Sequence, residues 1–245
     1  MFTDIVTIIH KEWKEIFIQR GSARSGWASV LVILGVVGVL MPLQSGREWL
    51  ENPLLTVVWS WLPIFLTIHM VTDAIAGERE RHTLETLLAS RLSDLAIILG
   101  KLGAAVLYGW GIAAASMLAG AVTVNLTAGG GELLFYPLWS FAGGLALALL
   151  ASIFMAGLGV LVSLGAPTAR AAYQRLSLAV MALWLLPTLG VQFLPKEILP
   201  SLGTWMMNVP WPAVLLGAVG LLLVADVAVV AVVLARFRRS RLVFA

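Results

Sequence analysis

The amino-acid sequence predicts an all-α integral membrane protein with six transmembrane helices, on three observations. Only 12% of its 245 residues are charged and 60% are hydrophobic, where a soluble domain carries about 25% charge. The mean hydropathy is +0.96, which leaves too little polar surface to clothe a soluble fold. Several apolar runs reach about 18–20 residues, the length a helix needs to cross the ~30 Å hydrocarbon core. Together these exclude a soluble enzyme, a disordered chain and a nucleic-acid-binding domain. The formal charge of +3 arises from basic residues in short loops between apolar runs. With no cysteine, the chain has no disulfide framework, thiolate metal site or cysteine nucleophile.

Residues 1–26 open the chain with an apolar stripe at helical spacing: Ile5, Ile8, Ile9, Trp13, Ile16 and Phe17. Asp4, Lys11, Lys14, Glu15 and Gln19 take the other face. The pattern predicts an amphipathic helix lying in the membrane interface, with packing on a soluble partner as the alternative. The six spans follow at residues 27–43, 54–76, 95–124, 137–164, 176–194 and 212–234. The third exceeds the bilayer thickness, so its first turns protrude. No A-x-A-type site follows the first run, so it is expected as a retained span and not a cleaved signal.

Orientation follows from the basic residues. With the amino terminus in the cytoplasm, fourteen of the sixteen Lys and Arg fall on that side, leaving only Arg47 and Lys196 opposite. Both termini are therefore expected in the cytoplasm. Residues 195–211, with three prolines and Trp205-Met206-Met207, are too apolar for a free loop. They are expected to dip into the outer leaflet as an extracellular re-entrant segment. Trp49, Trp139, Trp205 and Trp211 fall near the same boundary, as an aromatic belt requires. Span six leads into a basic tail within residues 212–245. Asn125-Leu126-Thr127 fits a glycosylation sequon, read as a chance match.

The most informative stretch lies between spans two and three, at residues 77–94. Gly77-Glu78-Arg79-Glu80-Arg81-His82 is almost wholly charged, and Leu84, Leu87, Leu88 and Leu92 then recur at helical spacing. Arg81 and Glu85 are placed to pair at i, i+4. A merely solvated loop has no use for so regular an apolar stripe, so this segment is expected to dock on something in the cytoplasm or on the membrane surface.

This stretch, from Asp73 through Gly77-Glu78-Arg79-Glu80 and Thr83-Leu84-Glu85-Thr86-Leu87-Leu88 to Gly100-Lys101, resembles ABC-2 type transporter permeases. Their pattern reads approximately D-x-x-x-G-E-[KR]-E-x-G-T-L-E-x-L-L-x-[ST]-P, then G-K about ten residues on. The layout agrees too: an interfacial helix containing Lys11-Glu12, six spans, and an extracellular segment between spans five and six. The resemblance implies that residues 77–94 form the coupling helix, seated in a cleft of a cytoplasmic ABC ATPase subunit. Glu78, Arg79, Glu80, Arg81, Thr83 and Glu85 would then contact the ATPase, while Leu84, Leu87 and Leu88 anchor the helix. Two departures stand out. His82 replaces the usual Gly and Arg91 a frequent Pro, which predicts a more continuous helix.

The chain lacks G-x-x-x-x-G-K-[ST], so ATP and Mg are expected on the partner ATPase, with no cofactor or metal here. A second permease copy, or a related chain, is implied to complete the pathway. Ala115 with Ala119, and Gly159 with Ser163, fit small-xxx-small packing. Asp226 and His69 are the candidate residues of a transport path. Asp226 lies ten residues before Arg236, about 15 Å along a straight helix. With His69 or with a water-filled path it forms a polar feature of the route, the alternative being a helix–helix hydrogen bond in its protonated form. G-x-S-x-G and H-E-x-x-H are absent, which leaves no intramembrane hydrolase constellation. The function implied is a permease subunit of an exporter in the plasma membrane, for a drug, lipid-like molecule, peptide or ion. An ion-coupled carrier or channel, and a haem-exporter B-type permease, are the alternatives.

Overall fold

The computed structural model describes residues 1–19, 23–83, 86–87, 89–195 and 197–236. These residues form helices and connecting turns, with no strand among them. The helices are α1 (Phe2–Lys14), α2 (Ala23–Gly35, continued through wide turns to Ser45), α3 (Glu48–Glu51), α4 (Leu54–Thr72) and α5 (Asp94–Ala128). Then come α6 (Leu138–Leu164), α7 (Ala169–Gln192), α8 (Ile198–Asn208) and α9 (Trp211–Arg236). Among the described residues, five stretches are long and apolar enough to cross a membrane: Trp27–Ser45, Asp94–Ala128, Leu138–Leu164, Ala169–Gln192 and Trp211–Arg236.

Local chemistry sets the boundaries. Ser93 caps α5 by accepting a 3.2 Å hydrogen bond from the Ala96 amide, as N-cap side chains do. Thr168 caps α7 in the same way, accepting from Ala171 N at 3.1 Å. That cap starts α7 at residue 169, not 176, so Arg170 and Arg175 lie on its first turns and not in a loop. Pro137 precedes α6 and Gly165 follows it. At 35 residues, α5 is about 52 Å long and overshoots the hydrocarbon core.

Helix α6 is central, packing against α4, α5, α7 and α9, while α1 lies along the start of α5. Its face is built for this. Val71 fills the space that a Cβ on Gly159 would need, and Val229 does the same at Gly157. Gly159 and Ala119, singled out as small residues, are thus spent on packing inside this chain, since Ala119 sits against Gly38. By contrast α2, α7 and α9 expose long apolar side chains, including Leu31, Leu183, Leu186, Leu216 and Leu221.

The end opposite the charged loops is closed by Trp49, which is only 3% exposed. It packs with Met117, Ala121, Val124 and Tyr136. Trp49 is therefore a core residue there and not a belt residue, because Gly120 lets the indole approach α5. Asn125 ties that end together, donating to Leu134 O and accepting from Leu134 N, each at 2.7 Å. These bonds give the sequon asparagine a structural role. The segment 195–211 contains one helix, α8, with Trp205 exposed.

Candidate functional site

The charged segment begins where α4 loosens into a wide turn at Asp73–Gly77 and then one helical turn at Glu78–Glu80. A Cβ on Gly77 would stand 2.6 Å from Asp73 Oδ1 and 2.7 Å from Arg81 Nη2. Glycine here lets Arg81 close onto Asp73, at 3.1 Å. The three residues that follow each hold a different part of the bundle.

Glu78 turns inward and is 4% exposed. Its Oε1 accepts from Lys11 Nζ at 2.6 Å and lies 3.1 Å from Lys101 Nζ. Lys101, 2% exposed, also donates to Glu12 Oε1 at 2.7 Å and to the Ala74 carbonyl at 2.6 Å. Two elements, α1 and α5, are thereby tied to the end of α4 by buried, charge-assisted contacts. Lys11 further reaches Glu15 at 3.3 Å. Burial pushes the Glu78 carboxyl up, but Lys101 and Lys11 outweigh it and hold the group below the usual carboxylate range. Burial likewise lowers Lys11, and Glu78, Glu12 and Glu15 outweigh that, leaving it above its ordinary value.

Arg79 points the other way. Its guanidinium donates to the carbonyls of Leu164 and Ala166, each at 3.1 Å. These are end groups of α6, whose last carbonyls have no partner inside the helix and favour a cation. Glu80 Oε2 accepts from Ala169 N at 3.3 Å, at the start of α7, where the free amides favour an anion. One helical turn therefore grips α1, α5, α6 and α7.

The helix stops at once. His82 has φ +56°, with His82 N donating to Arg79 O at 3.1 Å and Thr83 N to Glu78 O at 2.9 Å. This is a Schellman end, with His82 in the left-handed position that glycine usually takes. The expected continuous helix over 77–94 is thus overturned, because His82 adopts the conformation of the Gly it replaces. Leu87 N then donates to Thr83 O at 3.1 Å, and residues 89–93 bend before the Ser93 cap. Arg91 lies in that bend, so the helix ends there without proline.

Among the sequence-expected contact residues, Glu80, Arg81 and Thr83 are exposed, whereas Glu78 is internal. Leu87 packs inward on the cluster that contains Ile8, Ile97 and Ile98. Leu84, Glu85 and Leu88 lie outside the described residues. The stripe of α1 also packs inward: Ile8 covers Gly100, Ile9 covers Gly103, and Trp13 Nε1 donates to Ala104 O at 3.1 Å. A cleft of about 470 Å³ opens beside this node, lined by Lys11, Glu15, Glu78, Arg81, Thr83 and Thr86.

Asp226 and His69 are not brought together. Asp226 is 5% exposed on α9, which packs on α6. Neither of its carboxylate oxygens has a hydrogen-bond partner among the described residues. The helix–helix hydrogen bond expected of Asp226 is thus not seen among the described residues. His69 instead meets α7, its ring edge-on to Tyr173 at 5.9 Å. Sequence reasoning gave Lys11, Glu12 and Lys101 no role at the charged segment, although Lys11-Glu12 and Gly100-Lys101 were visible as pairs.

The long apolar helices among the described residues define a multi-pass membrane protein, with a buried charged node at one end of the bundle. A family model described as ABC-2 family transporter protein matches residues 54–207, from the start of α4 into α8. The chain belongs to that family, as a membrane permease of ABC transporters. No curated protein matches the chain.

Proposed function

We propose that this chain is the permease subunit of an exporter powered by a separate cytoplasmic ATPase, which binds the ATP and Mg. The observation that carries the proposal is the grip of Glu78, Arg79 and Glu80 on α1, α5, α6 and α7. A push on this one turn is delivered to four helices as a rigid-body shift. The exposed ridge of Glu80, Arg81, His82, Thr83 and Thr86 is the face offered to the ATPase, acting as the coupling element. Helix α4, 19 residues long, serves as the sixth span. Both termini face the cytoplasm of the plasma membrane, and α1 lies at that interface. A second permease copy or a related chain completes the pathway, and α8 covers its outer end.

The test is gentle purification of the tagged chain from its native membrane. ATPase subunits should co-purify in stoichiometric amounts. Thr86 and Ala89 are exposed and outside the node, so Thr86→Arg with Ala89→Arg should release the ATPase while the thermal unfolding of the permease stays unchanged. A chain that purifies alone, or a double variant that keeps its full complement of ATPase, overturns the proposal. Asp226 would then become the place to seek an ion-coupled mechanism.

A further inference from the structure

Helices α4 and α7 enclose a groove whose two ends differ in chemistry. The deeper end is a cavity of about 340 Å³ lined by Trp61, Phe65, Tyr173, Met181, Trp184 and Leu185, together with the hydroxyl-bearing Ser177. Trp61 meets Trp184 edge-on at 4.9 Å, joining the two helices across its floor. Toward the charged end lies a second cavity of about 450 Å³, lined by His69, Thr72, Asp73, Ala169, Arg170 and Tyr173. Tyr173 borders both cavities, so the apolar slot and the polar one are neighbours along the groove. Each has the size of an ordinary small-molecule site.

Asp73 is engaged by Arg81 at 3.1 Å. Arg170 is exposed and makes no hydrogen bond or ion pair among the described residues. Its guanidinium can bind a phosphate oxygen pair bidentately. From Trp61 to Asp73 the groove follows twelve residues of helix, about 18 Å. One leaflet contributes about 15 Å of hydrocarbon. A molecule anchored at Arg170 would therefore reach roughly the bilayer midplane with its tail at Trp61 and Trp184. The walls are open sideways: Phe65, Met181, Trp184 and Leu185 are each 45–49% exposed.

We propose that this groove binds an anionic phospholipid, with its phosphate at Arg170 and one acyl chain along Phe65, Met181 and the Trp61–Trp184 pair. A second copy of the chain fits less well, because an apolar helix laid there would bury the Arg170 guanidinium without a partner, which is costly. Lipid binding stands on the groove alone. Only its meaning as cargo rests on the permease function proposed above.

The probe is a lipid brominated on its acyl chain, which quenches tryptophan on contact. The full chain is placed in phosphatidylcholine nanodiscs containing a minor fraction of brominated phosphatidylglycerol, or the same fraction of brominated phosphatidylcholine. Quenching from Trp61 and Trp184 is isolated by subtracting the Trp61→Phe/Trp184→Phe double variant. Brominated phosphatidylglycerol should quench this pair saturably at low fractions, and brominated phosphatidylcholine should not. Arg170→Gln should weaken the preference about tenfold, the worth of one charge-assisted contact, and Arg170→Lys should retain most of it. Equal quenching by the two lipids, no quenching by either, or an unchanged preference in Arg170→Gln overturns the proposal. ATPase co-purification is indifferent to all these outcomes, so the two readings fail separately.

Discussion

Lys101 is the residue on which the node turns. It is 2% exposed and holds Glu12, Glu78 and the Ala74 carbonyl at 2.6–3.1 Å. A buried ion pair adds little stability over an apolar replacement, but removing one partner strands the others in low dielectric. Lys101→Met therefore should cost about 3–5 kcal/mol, read as a lower unfolding temperature in detergent. The triple change Lys101→Met, Glu12→Gln and Glu78→Gln should cost less than the single one, because no uncompensated carboxylate remains. A single variant that unfolds like the wild type would refute this account of the node. The pH dependence has two limbs. Glu78 is held below its ordinary value of 4.5, so its contribution is complete above that value and lost as pH falls through the depressed one. Lys11 is held above its ordinary 10.5, so its smaller, half-exposed contribution is complete below that value and lost as pH rises through the raised one. Unfolding temperature should be level between these limits and fall at both ends, and the acid limb should vanish in Glu78→Gln.

At the scale of elements, the sequence legibly placed the long helices because their apolar runs are local. The limits at residues 27, 54, 95, 137 and 212 each fall within a residue of the observed helix or stretch starts. Helix α7 began seven residues early because Thr168, a single hydroxyl, outweighs the polarity of Arg170 and Arg175 at an exposed first turn. The break at His82 was hidden for a different reason. Propensity counts against a left-handed histidine, and two backbone hydrogen bonds to Arg79 and Glu78 override it. The contact of α4 with α6 was half visible as a small residue, Gly159, without its partner Val71. A Cβ at residue 159 collides with Val71, so Gly159→Ala should cost about 1–3 kcal/mol by overpacking. Adding Val71→Ala should return part of that loss. Gly217→Ala on α9, where nothing lies within 4 Å, should change stability by no more than about 0.5 kcal/mol. Equal losses at Gly159 and Gly217 would show that the close approach of Val71 does not set the cost at residue 159, since helix propensity favours alanine at both positions.

For the whole molecule, the motif at residues 77–88 was read as a contact surface, whereas Glu78 and Leu87 within it face inward. The bonds of Glu78 to Lys11 and of Lys101 to Glu12 join residues 67 and 89 positions apart. Pairings at that separation leave no trace in helical periodicity, and each member alone looks like a surface charge. The distribution of charge does carry one global statement: fourteen basic residues assigned to one side against Arg47 and Lys196 on the other. This arrangement requires α4 to cross the bilayer, so that Glu48 and Thr86 lie on opposite faces. Both residues are exposed, and the chain has no cysteine of its own, so single-cysteine variants give clean labels. In intact cells a membrane-impermeant maleimide should label Glu48→Cys and Leu133→Cys, which is 90% exposed in the wild-type residue. Thr86→Cys should react only after the membrane is opened. Labelling of Glu48→Cys and Thr86→Cys from the same side would mean that α4 turns back within the membrane. The node would then face the same compartment as Arg47, and an ATPase acting from the cytoplasm could no longer both reach the exposed ridge and drive the four helices through it.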